Sequence, residues 1–319
     1  MRRSYRRSVC CWLENCCAGP TTKPGENKFD KGRRRLKPAP FAYVRADNLD
    51  QVFDLLDEHG DDARILAGGQ SLMATLNMRL SAPEILIDVN HIDELSGITN
   101  DGKTLRIGAL ARHTQVLESA DVAKMAPLIA QAMPHVAHQA IRNRGTFGGS
   151  IAFADPAAEL PAVSRAVNAR MILQGRDGTR SIEANDFFLG LFETAMQPNE
   201  ILVAVEVPGI ADGEKTAFLE LARRSGDYAI VGIGVQGRLD GGTFSDMRIV
   251  FLGAGDRPIL ASAACDALNG NPHNDDTVAA AQSALDADLD PMADLNGPPE
   301  MKMHLARVLT KRALTAFAA

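Results

Sequence analysis

Apolar positions recur along the chain with helical spacing in some stretches and strand spacing in others. After Asp47-Asn48, the residues Leu49, Val52, Phe53, Leu55 and Leu56 fall on one face of a helix that His59-Gly60 ends. Ile65-Leu66-Ala67 is a short apolar run that enters Gly68-Gly69, and helix resumes from Ser71. Glu84–Asp88 and Thr104–Ala109 predict strands, and the stretch from about Thr114 to His138 predicts helices. Asp155-Pro156 places a proline where a helix would begin. Asn168–Gln174 with the Gly175–Gly178 turn predicts a hairpin, and Ile201–Val207 a strand closed by Pro208.

Gly209–Glu214 is the best candidate linker in this pattern. Beyond it, Ala217–Ala222, Ala229–Leu239, the Asp240-Gly241-Gly242 turn and Met247–Leu252 predict an antiparallel sheet. Asp275–Asp294 is rich in Ala and Asp, and Lys302–Phe317 predicts a closing helix. No internal repeat is evident. The fold class is therefore α+β, with strands in hairpins as well as between helices.

A length of 319 residues accommodates about two domains, and 45% apolar residues is ordinary for a globular chain. No uncharged apolar run reaches the ~18 to 20 residues that cross a bilayer. A net charge of −6 argues against a general nucleic-acid binder. The charge is unevenly placed. Residues 1–38 hold 11 Lys and Arg against three acids, a net +8, which leaves −14 for the remainder.

Cys10, Cys11, Cys16, Cys17 and Trp12 fall in the same basic stretch. Val9–Leu13 is too short for a signal-peptide core, and Cys-Cys-x4-Cys-Cys is no usual metal spacing. Residues 1–36 are thus expected to form a leader outside the fold, with Leu36 as a plausible true start. Cys265 then remains as the body's single cysteine, which implies a reducing, cytoplasmic setting.

Two glycine segments carry the candidate chemistry. Ala67-Gly68-Gly69-Gln70-Ser71-Leu72 joins a strand to a helix, where paired glycines admit a close ligand and the helix start offers N–H donors. The bland alternative is a tight turn with a serine cap. Thr146-Phe147-Gly148-Gly149-Ser150 repeats the chemistry about 80 residues on, and two such loops suit a diphosphate better than one. Glu159 is placed to accept from a ribose hydroxyl, or else is a solvated helix residue.

Gly232-Ile233-Gly234-Val235-Gln236-Gly237 matches the dinucleotide spacing but lies in a strand pattern leading to a hairpin. Its glycines are better explained by close packing of another layer. His135 and His138 sit at i, i+3 with no partner in a known metal spacing. No serine nucleophile is evident, and Cys265 has no base nearby in sequence.

The ordered pair of glycine loops resembles the flavoprotein medium subunit of the xanthine dehydrogenase and carbon monoxide dehydrogenase family of molybdenum hydroxylases. Leu86–Val89, Ile107–Ala109, Gln139–Gly145, Asp155–Pro161 and Arg223–Ala229 are similar to the same family, from about Lys37 to the C-terminus. The resemblance implies a vanillyl-alcohol oxidase / p-cresol methylhydroxylase-type FAD fold over 37–210, two α+β subdomains split near 92. A smaller C-terminal α+β domain over 211–319 follows.

It further implies that Ala67, Gly68, Gly69, Gln70, Ser71 and Leu72 wrap the FAD diphosphate. Ala109, Thr146, Gly148, Gly149 and Ser150 would complete the cradle, with Glu159 on the adenosine part. Leu202 and Tyr228 would stand beside the flavin. The implied role is electron transfer from two [2Fe-2S] clusters of a small subunit, fed by a molybdopterin-containing large subunit, through FAD to NAD, oxygen or quinone. A free-standing flavin oxidase and a flavin-free assembly subunit are the competing readings. Two positions depart from the family: Ser150 replaces a frequent Asn, and Glu220 stands where relatives often carry Lys. A carboxylate near a flavin would lower its potential or change its acceptor.

Overall fold

The computed structural model describes residues 37–319. The basic leader, its four cysteines, Trp12 and the candidate start at Leu36 lie outside the described residues. The chain forms two compact units divided after Ile92.

The first unit is built on a three-stranded parallel sheet. Its elements are β1 (Ala42–Arg45), α1 (Leu49–His59), β2 (Ala63–Leu66), α2 (Leu72–Asn77) and β3 (Ile85–Asp88). Strand order is β1-β3-β2, so the last strand in sequence is the central one. Its residues Ile85, Leu86 and Ile87 are buried, as expected of a parallel strand covered on both faces. Helix α1 buries Leu49, Val52, Phe53 and Leu56, and Asn48 caps it by accepting from the Gln51 N–H at 3.0 Å.

The second unit begins with β4 (Ile98–Asn100) and β5 (Thr104–Gly108). The helices expected from about Thr114 to His138 are three short ones, α3 (His113–Glu118), α4 (Ala120–Met125) and α5 (Pro127–Ala132). Ser119 caps α4 through the Val122 N–H, and Pro127, which has no N–H to donate, starts α5 afresh. His135 and His138 consequently lie in the turn after α5 and do not share a helix face.

Next come α6 (Gln139–Arg142), α7 (Phe147–Phe153) and α8 (Glu159–Ala166). Asp155-Pro156 does not open α8, which starts at Glu159. Asp155 instead accepts from the Ala157 N–H in a turn, and the Pro156 carbonyl accepts from Gly253. The hairpin β6 (Arg170–Gly175) and β7 (Gly178–Glu183) forms as expected, then α9 (Ala184–Phe187), β8 (Phe188–Gly190), β9 (Glu193–Thr194) and β10 (Ile201–Pro208). The sheet order β4-β5-β10-β6-β7 inserts β10 between β5 and β6, antiparallel to both.

A four-stranded antiparallel sheet of β11 (Glu214–Ala222), β12 (Ala229–Asp240), β13 (Thr243–Leu252) and β14 (Ile259–Leu260) follows. The helices α10 (Ser262–Leu268), α11 (Asp275–Asp288) and α12 (Pro299–Ala318) complete the chain. Side chains alternate between two cores along these strands. Ala217, Ile249 and Phe251 pack with α10 to α12, while Phe218, Val250 and Leu252 face the other way into the core of the preceding helices. The G-x-G-x-x-G run lies within β12. A Cβ on Gly234 would sit 3.6 Å from Leu128 of α5, and one on Gly232 only 2.6 Å from Leu252. Close packing accounts for these glycines, and no helix opens there.

Candidate functional site

The loop Ala67–Leu72 leaves β2 and is tied to the end of β3. The Leu66 carbonyl accepts from the Val89 N–H at 3.1 Å, and the Ala67 carbonyl from Asn90 Nδ2 at 2.8 Å. Asn90 is held in turn by Asp88 Oδ1, and Asp88 is also hydrogen-bonded by Tyr43. Burial raises the Asp88 carboxyl, but the bonds from Tyr43 and Asn90 outweigh it and hold the group below its ordinary range.

Gly69 has φ +71°, in the left-handed region that favours glycine. Gln70 Nε2 donates to the Gly68 carbonyl at 3.0 Å, and the Met73 N–H donates to the Gly69 carbonyl at 3.0 Å. The Gly68 and Gly69 carbonyls are therefore occupied. Among the described residues, the N–H groups of Gly68, Gly69, Gln70 and Ser71 make no hydrogen bond. The Ser71 hydroxyl makes no capping bond either, so the serine-cap reading does not hold. Because α2 has six residues, its dipole contributes little, and an anion would be met by this run of peptide N–H groups.

The second glycine pair is differently used. Gly148 and Gly149 do not precede the helix as a loop; they lie within the first turn of α7, capped by Thr146. Their N–H groups are engaged inside the protein: Phe147 donates to the Ala111 carbonyl, Gly148 to Ala109, Gly149 to Thr146 Oγ1 and Ser150 to the Thr146 carbonyl, at 2.9 to 3.1 Å. What this segment can still offer a ligand is hydroxyl hydrogens, from buried Thr146 and half-buried Ser150. A Cβ on Gly148 would lie 2.5 Å from Ala109 Cβ, so this glycine serves the seating of α7 on the end of β5. Ala109 is buried beside β10, its N–H donating to Val203, and the neighbouring Leu202 is likewise buried.

Glu159 is not a solvated helix residue. It is 7% exposed at the start of α8, and its carboxyl is pushed up to about 7 by burial, aided by the charges of Glu220 and Asp155 and opposed by its own N–H and by His135. Glu220 is also buried, on the Phe218 face of β11, with Oε1 3.3 Å from His135 Nδ1. The bond from Glu220 holds the His135 imidazole above its ordinary range, against the effect of burial. His135 thus has a carboxylate partner that sequence spacing concealed. Among the described residues no group of three His, Cys, Asp or Glu side chains is arranged to hold a metal ion.

Tyr228, immediately before β12, is 57% exposed and hydrogen-bonded to Asp155. Burial raises the Asp155 carboxyl more than the bonds from Ala157 and Tyr228 lower it. The structure therefore joins Tyr228, Asp155, Glu159, Glu220 and His135 in one polar cluster of the second unit. Sequence reasoning missed His135 and Asp155. The available signal was the strand pattern of β11, where Phe218 and Glu220 share a face, so that a charged residue points inward.

Cys265 is buried in α10 with its thiol pushed up to about 11 by burial, and its sulfur accepts from the Ile249 N–H at 3.2 Å. In native buffer a thiol reagent is expected to leave the Cys265 peptide unlabelled, and to label it fully in denaturant, as read by peptide mass mapping. Rapid labelling of that peptide in the folded protein would contradict the burial.

Residues 39–210 match the FAD binding domain in molybdopterin dehydrogenase, and residues 216–317 match the CO dehydrogenase flavoprotein C-terminal domain. The chain is 39% identical to the 6-hydroxypseudooxynicotine dehydrogenase complex subunit alpha of Paenarthrobacter nicotinovorans, over 88% of this chain and 95% of the relative. It is 37% identical to the carbon monoxide dehydrogenase medium chain of Hydrogenophaga pseudoflava, over 88% of this chain and 97% of the relative. The solved carbon monoxide dehydrogenase from that organism superposes with a TM-score of 0.86 at 39% identity, covering 88% of this chain and 98% of the other. With both domains and the whole described fold in common, the chain belongs to the FAD-binding medium-subunit family of the molybdenum hydroxylases, a family of oxidoreductases.

Proposed function

We propose that this chain is the electron-transfer subunit of a heterotrimeric molybdenum hydroxylase. The observation that carries the site assignment is the run of unengaged N–H groups from Gly68 to Ser71, together with the free Ser71 hydroxyl. This donor set fits a diphosphate: it presents the positive ends of peptide dipoles and has no side chain at two of its positions. In this reading Ala67, Gly68, Gly69, Gln70, Ser71 and Leu72 hold the diphosphate through the backbone, while Thr146 and Ser150 contribute hydroxyls. Gly148 lets α7 seat against Ala109, and Gly149 holds the Thr146 hydroxyl in the cap. Glu159 faces the adenosine part, and Leu202 and Tyr228 stand by the flavin ring.

FAD, when bound, supplies the capacity to accept electrons singly and release them in pairs. The protein's part is to bind and orient it and to set the charge around it. The partners are a molybdopterin-containing large subunit and a small subunit with two [2Fe-2S] clusters. Relatives named as a complex subunit alpha and as a medium chain support a multi-subunit assembly. The acceptor is NAD, oxygen or a quinone. The same reading divides the chain into a vanillyl-alcohol oxidase-type FAD domain over 37–210, split near 92, and a C-terminal domain over 211–319. It treats residues 1–36 as a leader and places the enzyme in the cytoplasm.

The test is the visible spectrum of the purified chain with acid release of its cofactor. Bands near ~370 and ~450 nm with about one releasable FAD per chain are expected. A chain that stays colourless after incubation with FAD would overturn the assignment.

A further inference from the structure

The N–H donors of the first glycine loop have a set direction, and its cause lies within the first unit. A trans peptide is planar, so its C=O and N–H point opposite ways, and pinning one aims the other. Three successive trans peptides of the loop are pinned by their carbonyls. The Ala67 carbonyl accepts from Asn90 Nδ2 at 2.8 Å, the Gly68 carbonyl from Gln70 Nε2 at 3.0 Å, and the Gly69 carbonyl from the Met73 N–H at 3.0 Å. The N–H groups of Gly68, Gly69 and Gln70 are thereby turned away from those partners. Gln70 and Met73 belong to the loop and its helix, whereas Asn90 reaches in from beyond the end of β3.

Asn90 is held in its turn. Its Nδ2 also donates to Asp88 Oδ1 at 2.6 Å, and its backbone N–H donates to the same oxygen at 2.9 Å. Tyr43 of β1 donates to the other oxygen, Asp88 Oδ2. Asp88 is 8% exposed, yet these bonds hold its carboxyl below its ordinary range, so it stays an acceptor at neutral pH. The Asn90 amide therefore faces one acceptor on the loop and another on the strand. Turned over, it would set its own oxygen against both, so its NH2 end is the one presented.

We propose that Asn90 is a positioning residue for the cofactor: oriented by Asp88, it holds the Ala67–Gly68 peptide so that the Gly68 N–H meets the FAD diphosphate. The inference rests on the FAD reading above and adds to it a residue outside both glycine segments. Without the Nδ2 donor, nothing on the strand side retains the Ala67 carbonyl, and the peptide plane can turn. A turned plane withdraws the Gly68 N–H from the anion and brings a carbonyl oxygen toward it. The loss is that of one hydrogen bond to a charged group, about tenfold in affinity. Asp88 acts through Asn90, and Tyr43 through Asp88, so their effects diminish in that order.

The experiment titrates the flavin-stripped full chain with FAD, following the quenching of flavin fluorescence, and records the phosphorus NMR spectrum of the bound cofactor at saturation. N90A is expected to bind FAD about tenfold more weakly than the wild type, with an unchanged far-ultraviolet spectrum. D88N should fall between the two, and Y43F nearest the wild type. The diphosphate resonances of FAD on N90A should be displaced from their wild-type positions, because a hydrogen bond to that group is lost, while the visible flavin band keeps its place. Wild-type affinity in N90A would overturn the proposal and leave the cofactor reading standing. Weaker binding with unmoved phosphorus resonances would also overturn it, by reducing Asn90 to a support for the end of β3. Should N90A not fold, D88N, which keeps the shape of the side chain it replaces, decides on the same two readouts. Failure of the wild-type chain to bind FAD would overturn the cofactor reading itself, and the proposal with it.

Discussion

Gly148→Val is expected to destabilise the second unit by ~3 kcal/mol or more, read as a fall in the denaturant midpoint of the flavin-free chain. The added Cβ would stand 2.5 Å from Ala109 Cβ, 2.6 Å from its Cα and 2.8 Å from its carbonyl oxygen. Two of those three atoms are backbone, at the end of a strand paired to β10, so no rotamer change clears them. Either α7 lifts away and loses the bond from the Gly148 N–H to the Ala109 carbonyl, or β5 is pushed into its neighbour. Overpacking of a tight core costs about 1 to 3 kcal/mol and sometimes more. The gain of about 1 kcal/mol from replacing glycine inside a helix does not offset it. An unchanged midpoint would show that α7 is not seated on Ala109 as described.

Gly68→Val acts on binding. The Gly68 to Ser71 segment presents N–H groups that no other described residue engages, and a branched side chain there would occupy the approach to them. Losing about two charge-assisted hydrogen bonds at ~1.5 kcal/mol each weakens FAD by about 100-fold. The purified variant should therefore carry almost no flavin, measured as the ratio of 450 nm to 280 nm absorbance, with an unchanged far-ultraviolet spectrum. Full flavin retention would sink the assignment of this loop. Gly149→Val is expected to lose flavin too, by another route. The Gly149 N–H is held by Thr146, so substitution there disturbs the cap and the placement of the Thr146 and Ser150 hydroxyls.

The elements legible in the sequence were those whose cause is local. Helix α1 followed from its apolar spacing and the Asn48 cap, and the β12–β13 hairpin from its turn glycines. The misleading dinucleotide spacing could be set aside because its glycines alternated with Ile and Val, a strand's period. The first glycine loop was placed correctly between strand and helix, though the donors turned out to belong to the loop itself, since α2 is too short to matter.

The parts that sequence hid depend on distant residues. Nothing near Gly148 shows that Ala109 lies against it, so the second glycine pair resembled a ligand loop when it is the first turn of a helix. Glu159 could equally be read as a solvated helix residue, yet it is buried at the start of α8. His135 finds its carboxylate on a strand 85 positions later. The helices expected from 114 onward are parted at one serine and one proline, whose exact positions as boundaries periodicity alone does not give.

The strand order of the first unit bears on how its glycine loop comes into being. Among the described residues both β1 and β2 pair only with β3, and the loop is tied down by Val89 and Asn90 just beyond it. As the chain grows on the ribosome, β1, α1, β2 and the loop all emerge before they have a sheet to join. The conformation of residues 67–72 is thus a product of late closure, unavailable to any nascent chain shorter than about 90 residues plus the length still in the exit tunnel. The loop takes its final shape only after β3 has joined β1 and β2 as the central strand.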